Sequence, residues 1–184
     1  MDQSINRRGF LRMMRLAICG FAAGLPMLRR TAKAAAVGEK SMSFHSLHTG
    51  ENLEVTYWVG GAYVSEALEK VNYILRDWRA DEIHPIDPSL LDYLFDLRRA
   101  MDSTAPFHVI SGYRSSKSNE MLRKQSPGVA KNSLHIRGRA IDVSLPGRDL
   151  AKLRKTAVAM RRGGVGYYPA LGFVHVDTGR FRTW

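Results

Sequence analysis

The sequence predicts an α+β fold in which an antiparallel sheet carries a polar site on one face and helices pack on the other. Three observations predict it. Aliphatic and polar residues alternate over Ala140–Leu145 and again over Phe173–Asp177, as in strands with one buried face. Apolar residues recur at helical spacing in three stretches, Val64–Arg79, Asp87–Met101 and Arg148–Arg161. The 184-residue chain, 45% hydrophobic, is within the size of one domain and can bury a real core.

Residues 1–36 predict a removable export segment, and residues 37–184 the folded domain. Asn6-Arg7-Arg8-Gly9-Phe10-Leu11-Arg12 precedes a modest apolar run from Leu16 to Leu28 and then small residues, a twin-arginine signal with cleavage near Ala34 or Ala36. The run is short and rich in glycine and alanine, so no stable membrane span is expected in the mature form. A basic nucleic-acid arm and an uncleaved anchor fit the paired arginines before Gly-Phe-Leu less well. Removing this segment takes away seven basic residues and one acidic residue, so the formal charge falls from +11 to +5. Much of the basicity is therefore targeting, and nucleic acid is not an expected partner. Cys19, the one cysteine, lies in the removed segment, so the mature chain has neither a disulfide nor a thiolate ligand.

The elements follow in order. Two strands, Ser43–Leu47 and Leu53–Trp58, are expected around a turn at His48–Glu51. His45 and His48 have no metal spacing to any later cluster and are assigned structural or substrate-groove roles. A helix over Val64–Arg79 carries Leu68, Val71, Ile74, Leu75 and Trp78 on one stripe. Asp87-Pro88-Ser89 opens a second, with Leu90, Leu91, Leu94, Leu97 and Met101 facing the core. Phe107–Ile110 reads as a strand leading into Ser111-Gly112-Tyr113-Arg114-Ser115, where Arg114 can present a guanidinium fork to a carboxylate. A short helix spans Ser118–Lys124, and Gln125–Asn132 reads as a rim loop. Arg148–Arg161 is the last helix, and Gly163–Tyr168 leads into the final strand, with Tyr167 or Tyr168 able to donate to a substrate.

The chemistry concentrates in two runs. In Ser133-Leu-His135-Ile-Arg-Gly138-Arg-Ala140-Ile-Asp142, alternation puts Asp142 opposite the aliphatics, and Gly138 supplies the turn that returns His135 to its side. In Phe173-Val-His175-Val-Asp177-Thr-Gly179, His175 and Asp177 share a face. Two imidazoles and one or two carboxylates suit zinc with one position left open to water.

Together with Ser111–Ser115, these runs resemble the zinc peptidases that cut peptidoglycan stem peptides. That superfamily includes D-alanyl-D-alanine carboxypeptidases, VanX-type dipeptidases and the Hedgehog domain. The murein endopeptidase K (YcbK-like) branch is the most similar, and the His48–Glu51 segment matches it too. The resemblance spans roughly Ser41 to Trp184. It implies zinc held by His135, Asp142 and His175, with Arg114 on substrate and Ser111, Tyr113 and Ser133 beside it. Asp177 is the expected general base or the hydrogen-bonded partner of a ligand, with a fourth ligand as the further reading, because Gly172 stands where many relatives have a catalytic glutamate. The implied activity is hydrolysis of peptidoglycan cross-links at diaminopimelate-centred bonds in the periplasm, after passage through the twin-arginine translocase. A D,D- or L,D-carboxypeptidase and a non-catalytic wall-binding domain are the alternatives.

Overall fold

The computed structural model describes residues 38–126 and 128–184; the predicted export segment and Pro127 lie outside the described residues. Among the described residues, eight strands form one sheet: β1 (Glu39–Ser46), β2 (Asn52–Val59), β3 (Ala62–Tyr63), β4 (Phe107–Ser111), β5 (Ala140–Ser144), β6 (Gly164–Tyr168), β7 (Phe173–Asp177) and β8 (Arg182–Thr183). Their spatial order is β3-β2-β1-β4-β5-β7-β6-β8. Four helices accompany them among the described residues, α1 (Ser65–Ile74), α2 (Pro88–Ala100), α3 (Ser116–Gln125) and α4 (Leu150–Met160). The α+β class is as expected.

The sheet, however, is mixed and not antiparallel. β1 runs parallel to β4, and β6 parallel to β8. The cause lies in the connections. Between β1 and β4 the chain makes the β2–β3 hairpin and then passes through α1 and α2, and a crossover of that length lets the next strand return in the same direction. Alternation along a strand reports which face a residue occupies. It carries no information about the direction of the neighbour.

The aliphatic face of the central strands makes the core. Ile141, Val143, Val165, Val174 and Val176 are fully buried and join one cluster with Leu90, Leu91, Leu94 and Leu97 of α2 and Leu153 and Ala157 of α4. Each valine, leucine or isoleucine side chain among them contributes about 1.5–3 kcal/mol on burial. By alternation, Asp142 and His175 stand on the opposite face.

Helix boundaries follow local chemistry. The Asp87 side chain accepts from Ser89 N at the start of α2, with Pro88 in the first turn, and Asp149 accepts from Lys152 N at the start of α4. α1 stops at Ile74, short of the expected Arg79, and Trp78, expected on its apolar stripe, lies beyond the helix and is exposed. The Leu75 carbonyl accepts instead from Tyr113 N at 2.8 Å, and the Asp77 carboxylate accepts from Ser115 N and Oγ at 2.9 and 2.7 Å. Those partners lie almost forty residues downstream, beyond the reach of any helical pattern. Among the described residues, no helix is long and apolar enough to cross a membrane.

Candidate active site

Three acceptor groups meet where β5, β7 and one short turn converge. In the register of the β5–β7 pair, Asp142 stands directly opposite His175. His135 arrives from a 3-10 turn, Leu134–Arg137, capped by Gly138 in the left-handed region at φ 62°. A Cβ at Gly138 would lie 2.1 Å from the Pro85 carbonyl oxygen, so only glycine can turn the chain here into β5. His135 Nε2 is 3.2 Å from Asp142 Oδ1 and 3.2 Å from His175 Nδ1, and His175 Nδ1 is 2.9 Å from Asp142 Oδ1. All three residues are buried, with 1%, 3% and 8% exposure for His135, Asp142 and His175.

The surrounding hydrogen bonds set the tautomers. His135 Nδ1 lies 2.6 Å from the Gly112 carbonyl oxygen, which only accepts, so Nδ1 carries the proton and Nε2 faces the cluster as a lone pair. His175 Nε2 lies 3.0 Å from Asp177 Oδ2, so it donates there and leaves Nδ1 as a lone pair. With both imidazoles neutral, two lone pairs and a carboxylate thus converge with no proton among them. Such a donor set repels itself unless a cation sits in it, and this His-Asp-His cluster could hold a metal ion.

Burial lowers the His135 imidazole, and the nearby Asp142 charge offsets this only in part. Burial would lower His175 as well, but the Asp142 and Asp177 carboxylates on either side of it outweigh that and raise it, favouring a proton on Nδ1 while no metal is bound. Burial opposes ionisation of Asp142; the charge and hydrogen bonds of His135 and His175 prevail and hold the carboxyl well below its usual range. A metal requires the carboxylate ionised and both imidazoles neutral, so its binding displaces any proton held by His175.

Among the described residues, Arg114 supplies the one guanidinium in contact with the cluster. Its Nη2 donates to Asp142 Oδ2 at 2.5 Å and faces the His135 Nε2 lone pair at 3.1 Å. Ser111 lies beneath it, accepting from Arg114 Nε at 2.8 Å.

Above the cluster is a cavity of about 420 Å³, lined among others by Arg114, Ser133, His135, Asp142 and His175. Ser126, Gly128, Val129, Ala130 and Asn132 form one wall, so the segment read as a rim loop does border the site. Ser133 lines it while accepting from His135 N at 3.3 Å. Tyr168 lines it too, and Tyr167 instead packs against the core.

Tyr113, expected beside the substrate, turns away. It is 6% exposed, donates its hydroxyl to Glu82 Oε1 at 2.6 Å and stacks on His84. Alternation past a strand end does not predict which way a loop side chain faces, and here the carboxylate of Glu82 draws it outward. His45 and His48 stay clear of the cluster, bonded to Asn52 and stacked on Trp78.

Asp177 is fully buried and does not line the cavity. It accepts from Gly164 N at 2.9 Å, Gly179 N at 2.8 Å and both terminal nitrogens of Arg182, besides His175 Nε2. Glycines make this nest possible: a Cβ at Gly164 would lie 2.5 Å from Asp177 Oδ2, and one at Gly163 would lie 1.7 Å from its carbonyl oxygen. Burial alone would raise the carboxyl, but the His175 and Arg182 hydrogen bonds carry it far down.

Sequence reasoning passed over Arg182 and Trp184, both cavity residues. The Trp184 ring lies 5.2 Å from that of His175, and its Nε1 donates to the Tyr168 hydroxyl at 2.7 Å. The available signal was Gly166, where a Cβ would meet the Trp184 ring at 2.7 Å.

Residues 34–184 match the family model described as Peptidoglycan L,D-endopeptidase MepK. The chain belongs to this family. A peptidoglycan L,D-endopeptidase MepK of Escherichia coli (strain K12) is 43% identical over 171 residues, covering 92% of this chain and 94% of that protein. The relative from Shigella flexneri shares the same figures. A "Probable peptidoglycan L,D-endopeptidase MepK" of Haemophilus influenzae (strain ATCC 51907 / DSM 11121 / KW20 / Rd) is 39% identical over 172 residues, 92% of each chain. In this MepK-family chain the matched span contains the whole His-Asp-His cluster and every cavity residue named above.

Proposed function

We propose that the chain is a periplasmic zinc peptidase that hydrolyses amide cross-links between peptidoglycan stem peptides, at diaminopimelate-centred bonds. The observation that carries this is the convergence of two imidazole lone pairs and one ionised carboxylate at the floor of a cavity, in a member of the MepK family. The relatives' names supply the substrate. The paired arginines Arg7 and Arg8 support delivery through the twin-arginine translocase.

His135, Asp142 and His175 would hold the metal. Three nitrogen and oxygen ligands with a position left for water favour zinc in a catalytic setting. When bound, the metal supplies a polarised water and a Lewis acid for the scissile carbonyl. The chain's own residues do the rest. Arg114, fixed by Ser111, orients the substrate and stabilises negative charge developing on the amide oxygen. Asp177 is assigned to hold the His175 ring and its tautomer, since no open lone pair of it reaches the cavity. The Tyr168 hydroxyl oxygen accepts a hydrogen bond from Trp184 Nε1, so its own O–H is free to donate, and it is assigned as a donor to substrate.

The test is digestion of purified cross-linked muropeptides, read by mass spectrometry, with zinc, with chelator, and with His135→Ala. Zinc-dependent conversion of dimers to monomers, absent in the variant, is the expected result. Release of one terminal residue would instead establish a carboxypeptidase, and a folded, zinc-loaded protein that yields no product would establish a binding domain.

A further inference from the structure

Charge is divided unevenly along the chain, and the division falls at the site. Residues 112–139 hold seven basic side chains against one acid, Glu120. This stretch forms α3, the loop after it and the 3-10 turn carrying His135, and the loop and turn border the cavity. Glu120 pairs with Arg123 at 2.6 Å, and Arg114 and Arg139 face Asp142 and Asp87. Lys117, Lys124, Lys131 and Arg137 remain; all are exposed, and none forms an ion pair among the described residues.

Three of these cations, Lys117, Lys124 and Lys131, lie on one helix and the loop tied to it. Asn119 Nδ2, from α3, donates to the carbonyls of Ala130 and Lys131 at 3.1 and 3.4 Å, which fastens the loop to the helix. The only buried residues of α3 are Ser118 and Asn119, so it adds no buried apolar side chain to the core. Among the described residues no acid intervenes from here inward, because Asp142 is the only carboxylate of those that line the cavity.

We infer that the α3 face and its adjoining loop dock the anionic stem peptides of intact peptidoglycan, holding the polymer while one cross-link lies at the site. This rests on the endopeptidase reading. Stem peptides carry free carboxylates at their glutamate and diaminopimelate residues, so an assembled wall is a polyanion whose repeats can meet several lysines at once. A phospholipid surface would also attract cations, but bound here it would cover the mouth of the cavity. Each exposed charge pair is weak and screened by salt, so the effect comes from several acting together.

The experiment uses the full chain carrying Lys117→Gln, Lys124→Gln and Lys131→Gln. Co-sedimentation is measured with purified sacculi, with sacculi whose carboxylates have been amidated, and with phosphatidylglycerol vesicles. Cleavage of sacculi and of a soluble muropeptide dimer is followed alongside. The expected result is a Kd for sacculi raised about tenfold in the variant. Amidation should remove the difference between the two proteins, and the ratio of activity on sacculi to activity on the dimer should fall by a similar factor. Equal binding by both proteins, binding indifferent to amidation, or vesicle binding as tight as sacculus binding would each overturn the inference. If the wild-type chain binds as stated but cleaves neither substrate, the endopeptidase reading falls and the docking surface stands.

Discussion

Replacing Asp177 by asparagine keeps the shape of the side chain, reverses the hydrogen bond with His175 Nε2 and gives up the one from Arg182 Nη2. Every neighbour of Asp177 is a donor: Gly164 N, Gly179 N and Arg182 on the Oδ1 side, His175 Nε2 and Arg182 on the Oδ2 side. An asparagine must point its amide nitrogen at one set. The two backbone N–H groups cannot change, whereas an imidazole can move its proton, so the amide nitrogen will face His175. Nε2 then becomes the acceptor, and Nδ1 carries its proton into the cluster against Asp142 and His135. Metal binding must displace that proton, and loss of an outer hydrogen-bond partner of this kind costs about 10- to 100-fold in affinity, or roughly 1.4–2.7 kcal/mol. Competition against a chromophoric chelator measures the zinc Kd, and thermal melts with and without zinc verify that the variant folds. Zinc affinity within about threefold of wild type would refute the tautomer argument. If cleavage were then lost at full zinc occupancy, Asp177 would be the general base.

Four further outcomes follow from the geometry. Gly163→Ala places a Cβ against the Asp177 backbone, which cannot yield, and should destabilise by more than about 2 kcal/mol in urea unfolding. Gly166→Ala meets only the half-exposed Trp184 ring, so it should leave stability nearly unchanged while shifting tryptophan fluorescence and lowering kcat/KM about three- to tenfold. Tyr168→Phe should lower kcat and leave the zinc Kd unaltered; a changed Kd would remove the assignment to substrate. Burial raises the Asp77 carboxyl, but hydrogen bonds from Ser118 and Ser115 outweigh it and leave a depressed value. The stabilisation is therefore present above the unfolded value near pH 3.9 and lost as pH falls through the folded one, so the wild-type advantage over Asp77→Asn should be constant above about pH 5 and shrink below about pH 4.

Alternation placed Asp142, His175 and Asp177 opposite the aliphatics of their strands, because a pleated strand has a period of two whatever surrounds it. The same reasoning asked for a turn at Gly138, and the positive φ there meets it. Ser111–Ser115 was legible as a motif but not as a set of positions. Arg114 reaches the cluster, Ser111 props it, and Tyr113 faces Glu82. β6 was read only as a lead-in to β7, since Gly164 and Gly166 leave it no side-chain alternation.

The sequence by itself determined the class of the fold, the helical stripes, the family and the residue types that meet at the cluster, since all of these rest on local periodicity or on motifs. Only the tertiary structure decided the parallel pairing of β1 with β4, the end of α1 at Ile74, the entry of Arg182 and Trp184 into the cavity, and the enclosure of Asp177 behind His175. The physical reason is common to them. A side chain's face is dictated by its own backbone, but its partners are dictated by segments far along the chain. Whether a carboxylate collects protons from solvent or from buried N–H groups depends on those partners alone.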